Sequence, residues 1–350
     1  MVLDSLAVTF GTAGTFPPNA SGCYHRSMAQ YLVTGVAGFI GSNIARKLVA
    51  QGEQVRGIDN LSTGRRSSLA DILNKIDFRE ADILDTAAMV DACRGVDYIF
   101  HEAAIPSVPK SVKDPVSCNR ACVDGTVSVL VAARDAKVRR VVYAASSSAY
   151  GDTPTLPKHE AMTPNPISPY AVAKLAGEHY MTSFYRCYGL ETVSLRYFNI
   201  FGPYQDPTSP YSGVLAKFIT SMLSGQEPTI FGDGEQSRDF TYIENAVSAN
   251  LLACHAPAAQ VAGKMCNVAT GTRFTLNQTF QLLKTPTSYS GGVKYGPSRE
   301  GDVKHSLADI TRAAECFAYK PLVDFEEGLR RTVEWYRTQS KESLMAATSR

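Results

Sequence analysis

Tyr170 and Lys174 stand four positions apart in Ser168-Pro169-Tyr170-Ala171-Val172-Ala173-Lys174, where Ser-Pro is a helix opening. One helical turn puts the phenol and the ammonium on the same face. A free tyrosine ionises near pH ~10, and a neighbouring cation favours phenolate, so the pair can supply a general base. Alone, such a pair is usually a solvent-facing couple. Its company decides. Ser146-Ser147-Ser148 closes the apolar run Arg140–Ala145, and a hydroxyl at such a strand end can orient a reacting oxygen. Upstream, Tyr31–Val33 leads into Gly35-Val36-Ala37-Gly38-Phe39-Ile40-Gly41 and an amphipathic stretch from Asn43 to Ala50. The three glycines permit a tight turn, and the helix beginning at Phe39 and Ile40 offers free N–H groups to a pyrophosphate.

The next strand ends at Asp59, about 20 residues after the glycines, where a carboxylate can accept hydrogen bonds from an adenosine ribose and repel a 2′-phosphate. That favours NAD over NADP, although Arg65 and Arg66 follow beyond a turn. Asp82-Ile83, after the third strand, is placed to meet the adenine edge, or else to cap the following helix near Asp85. A positively charged nicotinamide would join Lys174 in lowering the Tyr170 pKa.

These residues need a frame that brings strand ends together. From residue 30 the chain alternates Gln30–Thr34, a helix from Phe39, Gln54–Asp59, a helix, Asp77–Ala81, a helix, Asp97–His101, a long helix and Arg140–Ala145. That rhythm predicts an α/β Rossmann-type fold with a doubly wound parallel sheet. After Gly202, closely spaced Pro and Gly residues divide shorter elements, which predicts a smaller mixed α/β annex on the carboxyl edge of the sheet. The expected division is an unstructured extension over 1–29, a dinucleotide domain over 30–200 with some later segments returning to it, an annex over 201–342 and a tail over 343–350.

Composition narrows the partners. A formal charge of +2, with both signs interspersed, gives no electrostatic case for nucleic acid or a membrane surface. Eight cysteines lie in apolar segments without CxxC or Cys/His metal-ligand spacing, so no metal is expected and the thiols read as free core residues in a reducing, cytoplasmic compartment. No apolar run reaches the length of a membrane span.

Taken together, Gly35/Gly38/Gly41, Asp59-Asn60-Leu61-Ser62-Thr63-Gly64, His101-Glu102-Ala103-Ala104, Ser146-Ser147-Ser148, Tyr170/Lys174, Arg196-Tyr197-Phe198-Asn199 and Gly232 to Phe240 resemble the extended short-chain dehydrogenase/reductases, and among them the UDP-hexose 4-epimerases. The likeness runs from about residue 30 to 338. It implies tightly bound NAD held by Gly35, Gly38, Phe39, Ile40, Gly41, Asp59, Asn60, Ser62, Thr63, Gly64, Asp82, Ile83, Ala103, Ala104, Tyr170, Lys174 and Tyr197. It also implies a reaction in which Tyr170 takes the 4-hydroxyl proton, C4 hydride passes to NAD, and hydride returns to the opposite face of a transient 4-keto sugar. Ser146 would bond the 4-oxygen, with Ser147 and Ser107 as further sugar contacts. Asn199 and Arg238 would hold the diphosphate, and Arg299 and Asp302 the phosphate and uridine ribose. Guanidinium forks and carboxylates suit those partners. Relatives dimerise through helices that fall here near Pro115–Asp135 and Tyr170–Tyr188.

The sugar is read from three positions. Ser306 stands where glucose/galactose epimerases carry a bulky residue, and with Gly213 and Gln205 it resembles the pocket of UDP-N-acetylglucosamine 4-epimerases. The expected substrates are UDP-GlcNAc/UDP-GalNAc, with UDP-Glc/UDP-Gal as smaller alternatives. Two positions depart from the pattern. Cys122 replaces an asparagine, for which Asn119 one turn earlier is the candidate substitute, and Pro106 stands where relatives have glycine or lysine. A 4,6-dehydratase would need an Asp-Glu pair after Ser146, where this chain has Ser147-Ser148. A uronate epimerase or decarboxylase stays open, and an NAD-binding sensor would have no use for Tyr170 and Lys174.

Overall fold

The computed structural model describes residues 28–207, 213–298 and 304–339. Apart from Met28 and Ala29, the expected extension over 1–29 lies outside the described residues, as does the expected tail.

A seven-stranded, all-parallel sheet forms the frame. Its strands are β1 (Gln30–Thr34), β2 (Gln54–Asp59), β3 (Asp77–Glu80), β4 (Tyr98–His101), β5 (Arg140–Ser146), β6 (Glu191–Tyr197) and a returning strand, Lys264–Val268. Across the sheet they run Lys264–Val268, β6, β5, β4, β1, β2, β3. The winding reverses between β1 and β4, where Thr34 lies beside His101. Such a switch point opens a crevice at the carboxyl ends of the strands.

Burial of both sheet faces explains why the strands read as continuous apolar runs. Alternate residues point to opposite sides. Leu32, Ile58, Ile99 and Val141 pack against Met89, Val129, Leu130 and Met181 on one face. Tyr31, Val33, Phe100, Val142 and Leu195 meet Ile44, Leu48 and Val247 on the other.

The helices that carry site residues are α1 (Phe39–Ala50), α2 (Thr86–Cys93), α3 (Val108–Lys113), α4 (Pro115–Asn119), α5 (Gly125–Asp135) and α6 (Pro169–Tyr188). A widened π turn, Arg120–Asp124, joins α4 to α5, so the single long helix expected there contains a bulge. In α6, Ser168 caps the start by accepting from the Ala171 N–H, Pro169 occupies the first turn, and Gly189 ends the helix at φ +71°. Six cysteines (93, 118, 122, 254, 266, 316) are free and buried as expected, but Cys187 lies exposed on α6. Helical periodicity put it on the solvent side.

Beyond Gly202 the chain forms short strand pairs: Ile200–Phe201 with Thr241–Tyr242, Ser237–Arg238 with Phe274–Thr275, and Thr229–Phe231 with Lys294–Gly296. Phe201, Phe240, Tyr242, Phe274 and Phe325 interlock beneath them, with Phe240 stacked on Phe325 at 5.0 Å between ring centres. Such aromatic packing substitutes for a large sheet as the source of rigidity.

Candidate functional site

The glycine turn is fixed by close backbone approach. Gly35 has φ +67°, and a Cβ there would lie 2.7 Å from the Ala103 nitrogen; a Cβ on Gly41 would run into the Gly35 carbonyl. Gly38 caps α1 without a side-chain bond, leaving the first-turn N–H groups at Phe39, Ile40 and Gly41 open to an anion. Asp59 turns back on this loop: one oxygen accepts from the Ala37 N–H at 2.9 Å and the other from the Leu61 N–H at 2.8 Å. Burial raises its pKa against those two bonds. Gly64 has no room for a Cβ beside Ala37 and Asp59.

A cleft beside this turn is lined by Gly35, Asp59, Asn60, Ser62, Thr63, Asp82, Ile83, Ala103 and Ala104. Ser117 and Arg120, which the sequence did not single out, also line it. Asp82 holds the Asn60 amide at 2.8 Å, while Asp85, not Asp82, caps α2.

At the carboxyl end of β5, Ser146 pairs with Tyr197 in the sheet and accepts from the Ser148 N–H (3.2 Å) and hydroxyl (2.8 Å). The Tyr170 phenol of α6 faces this hydroxyl, which acts to lower its pKa. Lys174 is buried and donates from Nζ to the Ala144 carbonyl at 2.8 Å, over the Tyr143 ring. The structure thus assembles Ser146, Tyr170 and Lys174, three residues the sequence pairs only by motif. In the protein alone burial pushes the Tyr170 phenol above an ordinary tyrosine, with the facing Cys122 adding to the rise and Ser146 opposing it. Burial likewise lowers the Lys174 pKa. The ammonium by itself therefore does not bring the phenol to working pH.

A second cleft, on the annex side, is lined by Asn199, Gln205, Gly213 and Arg238 together with Phe201, Thr229, Phe231, Gln236, Phe240 and Leu276. The Asn199 amide donates to the Asp239 carbonyl (3.0 Å) and the Ser306 hydroxyl (3.3 Å), while the Ser306 N–H donates to the Ser237 carbonyl. Arg238 spans Ser237 and Lys304 with two carbonyl bonds. Behind them Asp239 accepts from the N–H groups of Thr270, Gly271 and Ala308 and from the Thr270 hydroxyl; burial pushes it up to about 6. Arg299 and Asp302 lie outside the described residues.

Three residues sit elsewhere than motif reading placed them. The Ser107 hydroxyl caps α3 by accepting from the Lys110 N–H. Asn119 is exposed and lines an outer groove with Val116 and Val172, while Cys122 is buried against Tyr170, so Asn119 does not take over the missing asparagine's place. Tyr197 is buried; its hydroxyl donates to Glu102 at 2.9 Å and accepts from the Asn250 amide at 2.7 Å. Glu102 and Asp239 were missed as site residues. An acid directly following the strand Tyr98-Ile99-Phe100-His101 was the available signal for Glu102.

Residues 31–269 match the NAD dependent epimerase/dehydratase family. The chain belongs to this family. It is 39% identical to a UDP-glucose 4-epimerase from Mycolicibacterium smegmatis over 89% of its own length and 99% of that protein. Among solved structures it resembles the UDP-glucose 4-epimerase of Thermotoga maritima with UDP-glucose, at 39% identity and TM-score 0.84 over 88% of this chain and 98% of that one. It resembles equally the UDP-N-acetylglucosamine 4-epimerase of Methanobrevibacter ruminantium in complex with UDP-N-acetylmuramic acid, at 40% identity and TM-score 0.84 over 89% and 99%.

NAD, the cofactor of this epimerase/dehydratase family, suits the cradle described above. The glycine turn has space for no Cβ, the α1 N–H groups lack a side-chain cap, and a carboxylate stands at the tip of β2. The arginines that a 2′-phosphate would require are engaged, Arg65 with Asp206 and Arg66 with Glu80, each at 2.6 Å.

Proposed function

We propose that this chain is a UDP-sugar 4-epimerase acting on UDP-GlcNAc and UDP-GalNAc, with UDP-Glc and UDP-Gal as further substrates. The observation that carries the reaction is the meeting of Tyr170, Lys174 and Ser146 at the carboxyl end of β5. Tyr170 accepts the proton of the 4-hydroxyl, and Ser146 hydrogen-bonds the 4-oxygen. Lys174 holds the nicotinamide ribose and stabilises the phenolate. Bound NAD supplies a reversible acceptor for the C4 hydride, so the reaction involves no net oxidation. After Ser146 come Ser147 and Ser148 rather than an acid pair, leaving no partner for elimination at C5 and C6.

Residues 30–200 carry the cofactor in this reading and 201–342 most of the nucleotide sugar, with Asn199 and Arg238 on the diphosphate. Arg299 and Asp302 complete the uridine end. Ser306 supports the N-acetylated sugar: its small side chain accepts from Asn199, which lines the same cleft as Gln205 and Gly213. Relatives acting on both kinds of sugar are equally similar, so the test is direct. Purified protein given UDP-GlcNAc or UDP-Glc without added NAD forms the C4 epimer of each. Turnover of UDP-Glc alone would confine the reading to glucose; turnover of neither would end it.

Exposed Val112, Val116, Ile167, Val172, Tyr185 and Tyr188 on or beside α3, α4 and α6 support a homodimer through these helices, which sedimentation checks. Buried, unpaired thiols fit a reducing, cytoplasmic setting. No helix among the described residues is long and apolar enough to cross a membrane.

A further inference from the structure

Beside the dinucleotide cleft, next to its lining residue Ala103, lies a carboxyl group that the proposed chemistry leaves unused. Glu102 follows the last residue of β4, and its N–H donates to the Thr34 carbonyl at 3.2 Å, at the switch point of the sheet and against Gly35. The Tyr197 hydroxyl of β6 donates to Glu102 Oε1 at 2.9 Å and is held in turn by Asn250 of the Ile243–His255 helix at 2.7 Å. One edge of the residue reaches the surface, yet protein crowds the carboxyl itself, and burial pushes it up to about 7. The Tyr197 bond and the Lys174 ammonium oppose that rise.

The other groups facing Lys174 or Glu102 are already committed. Glu178 is engaged by Arg196 through two bonds of 2.8 and 2.7 Å. His101 is kept neutral, its pKa pushed down to about 3 by burial and by Lys174. Without cofactor, burial holds the Tyr170 phenol and the Cys118 thiol protonated, and the buried Cys122 thiol also faces Lys174. His101 pairs with Tyr143 in the sheet, so Glu102 follows alongside Ala144, whose carbonyl holds Lys174 Nζ; its carboxyl faces that ammonium without an arginine of its own.

We propose that Glu102 is a positioning residue that sets the charge balance of the dinucleotide site: ionised, it keeps Lys174 protonated and favours oxidised NAD; protonated, it lets the cofactor hold hydride more tightly. When the substrate C4–H bond breaks, its electron pair and hydrogen pass to the nicotinamide, which loses its positive charge, while the alcohol proton goes to Tyr170. Removing a positive charge near a carboxylate raises that carboxylate's proton affinity. By linkage, hydride on the cofactor and a proton on Glu102 then favour one another. The inference rests on NAD binding and not on which sugar is turned over.

The test is a redox titration of the holoenzyme, using dye couples and following the absorbance of reduced nicotinamide across pH values on either side of 7. The wild-type equilibrium should carry a proton dependence beyond that of nicotinamide itself, centred where Glu102 titrates. In Glu102→Gln, which can still accept from Tyr197, the equilibrium should move toward reduced cofactor by about tenfold on the alkaline side and lose the extra dependence. Tyr197→Phe, which removes the donor but keeps the carboxyl, should move that dependence to higher pH. A wild-type profile without the extra dependence, or a Gln variant matching wild type at every pH, overturns the proposal. Should the Gln variant fail to retain cofactor, Tyr197→Phe decides: a proton dependence that stays at the wild-type pH overturns the proposal. Because no UDP-sugar is present, failure here is distinct from failure of the epimerase reading.

Discussion

Both sides of the cleft draw on several segments, but the dinucleotide side takes them from the ends of the parallel strands β1 to β4, whereas the annex side takes Asn199, Gln205, Gly213, Phe231, Arg238 and Leu276 from loops, short strands and helix starts. The first is shaped by backbone: a glycine at φ +67°, a helix start without a side-chain cap and a carboxylate turned onto main-chain N–H groups. The second is shaped by side chains, held by two-residue strand pairs and by the buried Asp239 hub. A backbone site suits one invariant cofactor. A side-chain site can change its ligand with little change in its frame.

If this contrast is right, substitutions on the two sides should fail differently. The largest effect belongs to the junction: Tyr170→Phe should lower kcat on the order of 10³-fold while melting like wild type, because the phenol proton is the functional loss. Near-normal turnover would sink the general-base role. Next is Gly35→Ala, where an unfavourable φ and a clash with Ala103 combine. We expect a destabilisation of about 2 kcal/mol or more, with loss of retained NAD, read by thermal melting and by the cofactor released on denaturation. A variant holding NAD normally would show that the turn tolerates a side chain and that its backbone logic is wrong.

On the annex side, Arg238→Ala should raise KM for the nucleotide sugar about 10- to 100-fold, leave NAD content unchanged and affect kcat less. Loss of NAD in that variant would erase the contrast between the two sides. The smallest and most selective change is Ser306→Tyr, which should reduce turnover of UDP-GlcNAc relative to UDP-Glc by about tenfold while sparing UDP-Glc. Equal losses on both substrates would remove Ser306 from the specificity argument.

Legibility followed the same divide. The strands β1, β2 and β5 and the start of α6 were readable because period, caps and glycines act within a few residues. The bulge at Arg120–Asp124 was not, since a π turn has no local signature in this stretch. Motif position suggested a hydroxyl at Ser107 and an amide at Asn119; the helix start takes one lone pair of the first, and the outward face of the helix took the second. Tyr197 read as a cofactor residue, yet β6 directs its hydroxyl into the interior toward Glu102 and Asn250. Lys284–Pro297 had no clear reading. It contains the end of the Leu276–Thr287 helix and a strand, Lys294–Gly296, whose partner Thr229–Phe231 lies far away in sequence.

The sequence by itself determined the cofactor turn, the strand-helix rhythm and the Tyr170/Lys174 pairing, because each depends on steric and helical relations among near neighbours. Only the tertiary structure decided how those groups are charged. Burial between β4, β5, β6 and α6 sets the proton affinities of Tyr170, Lys174 and Glu102. Desolvation depends on everything packed around a group, and most of what surrounds these three arrives from distant parts of the chain.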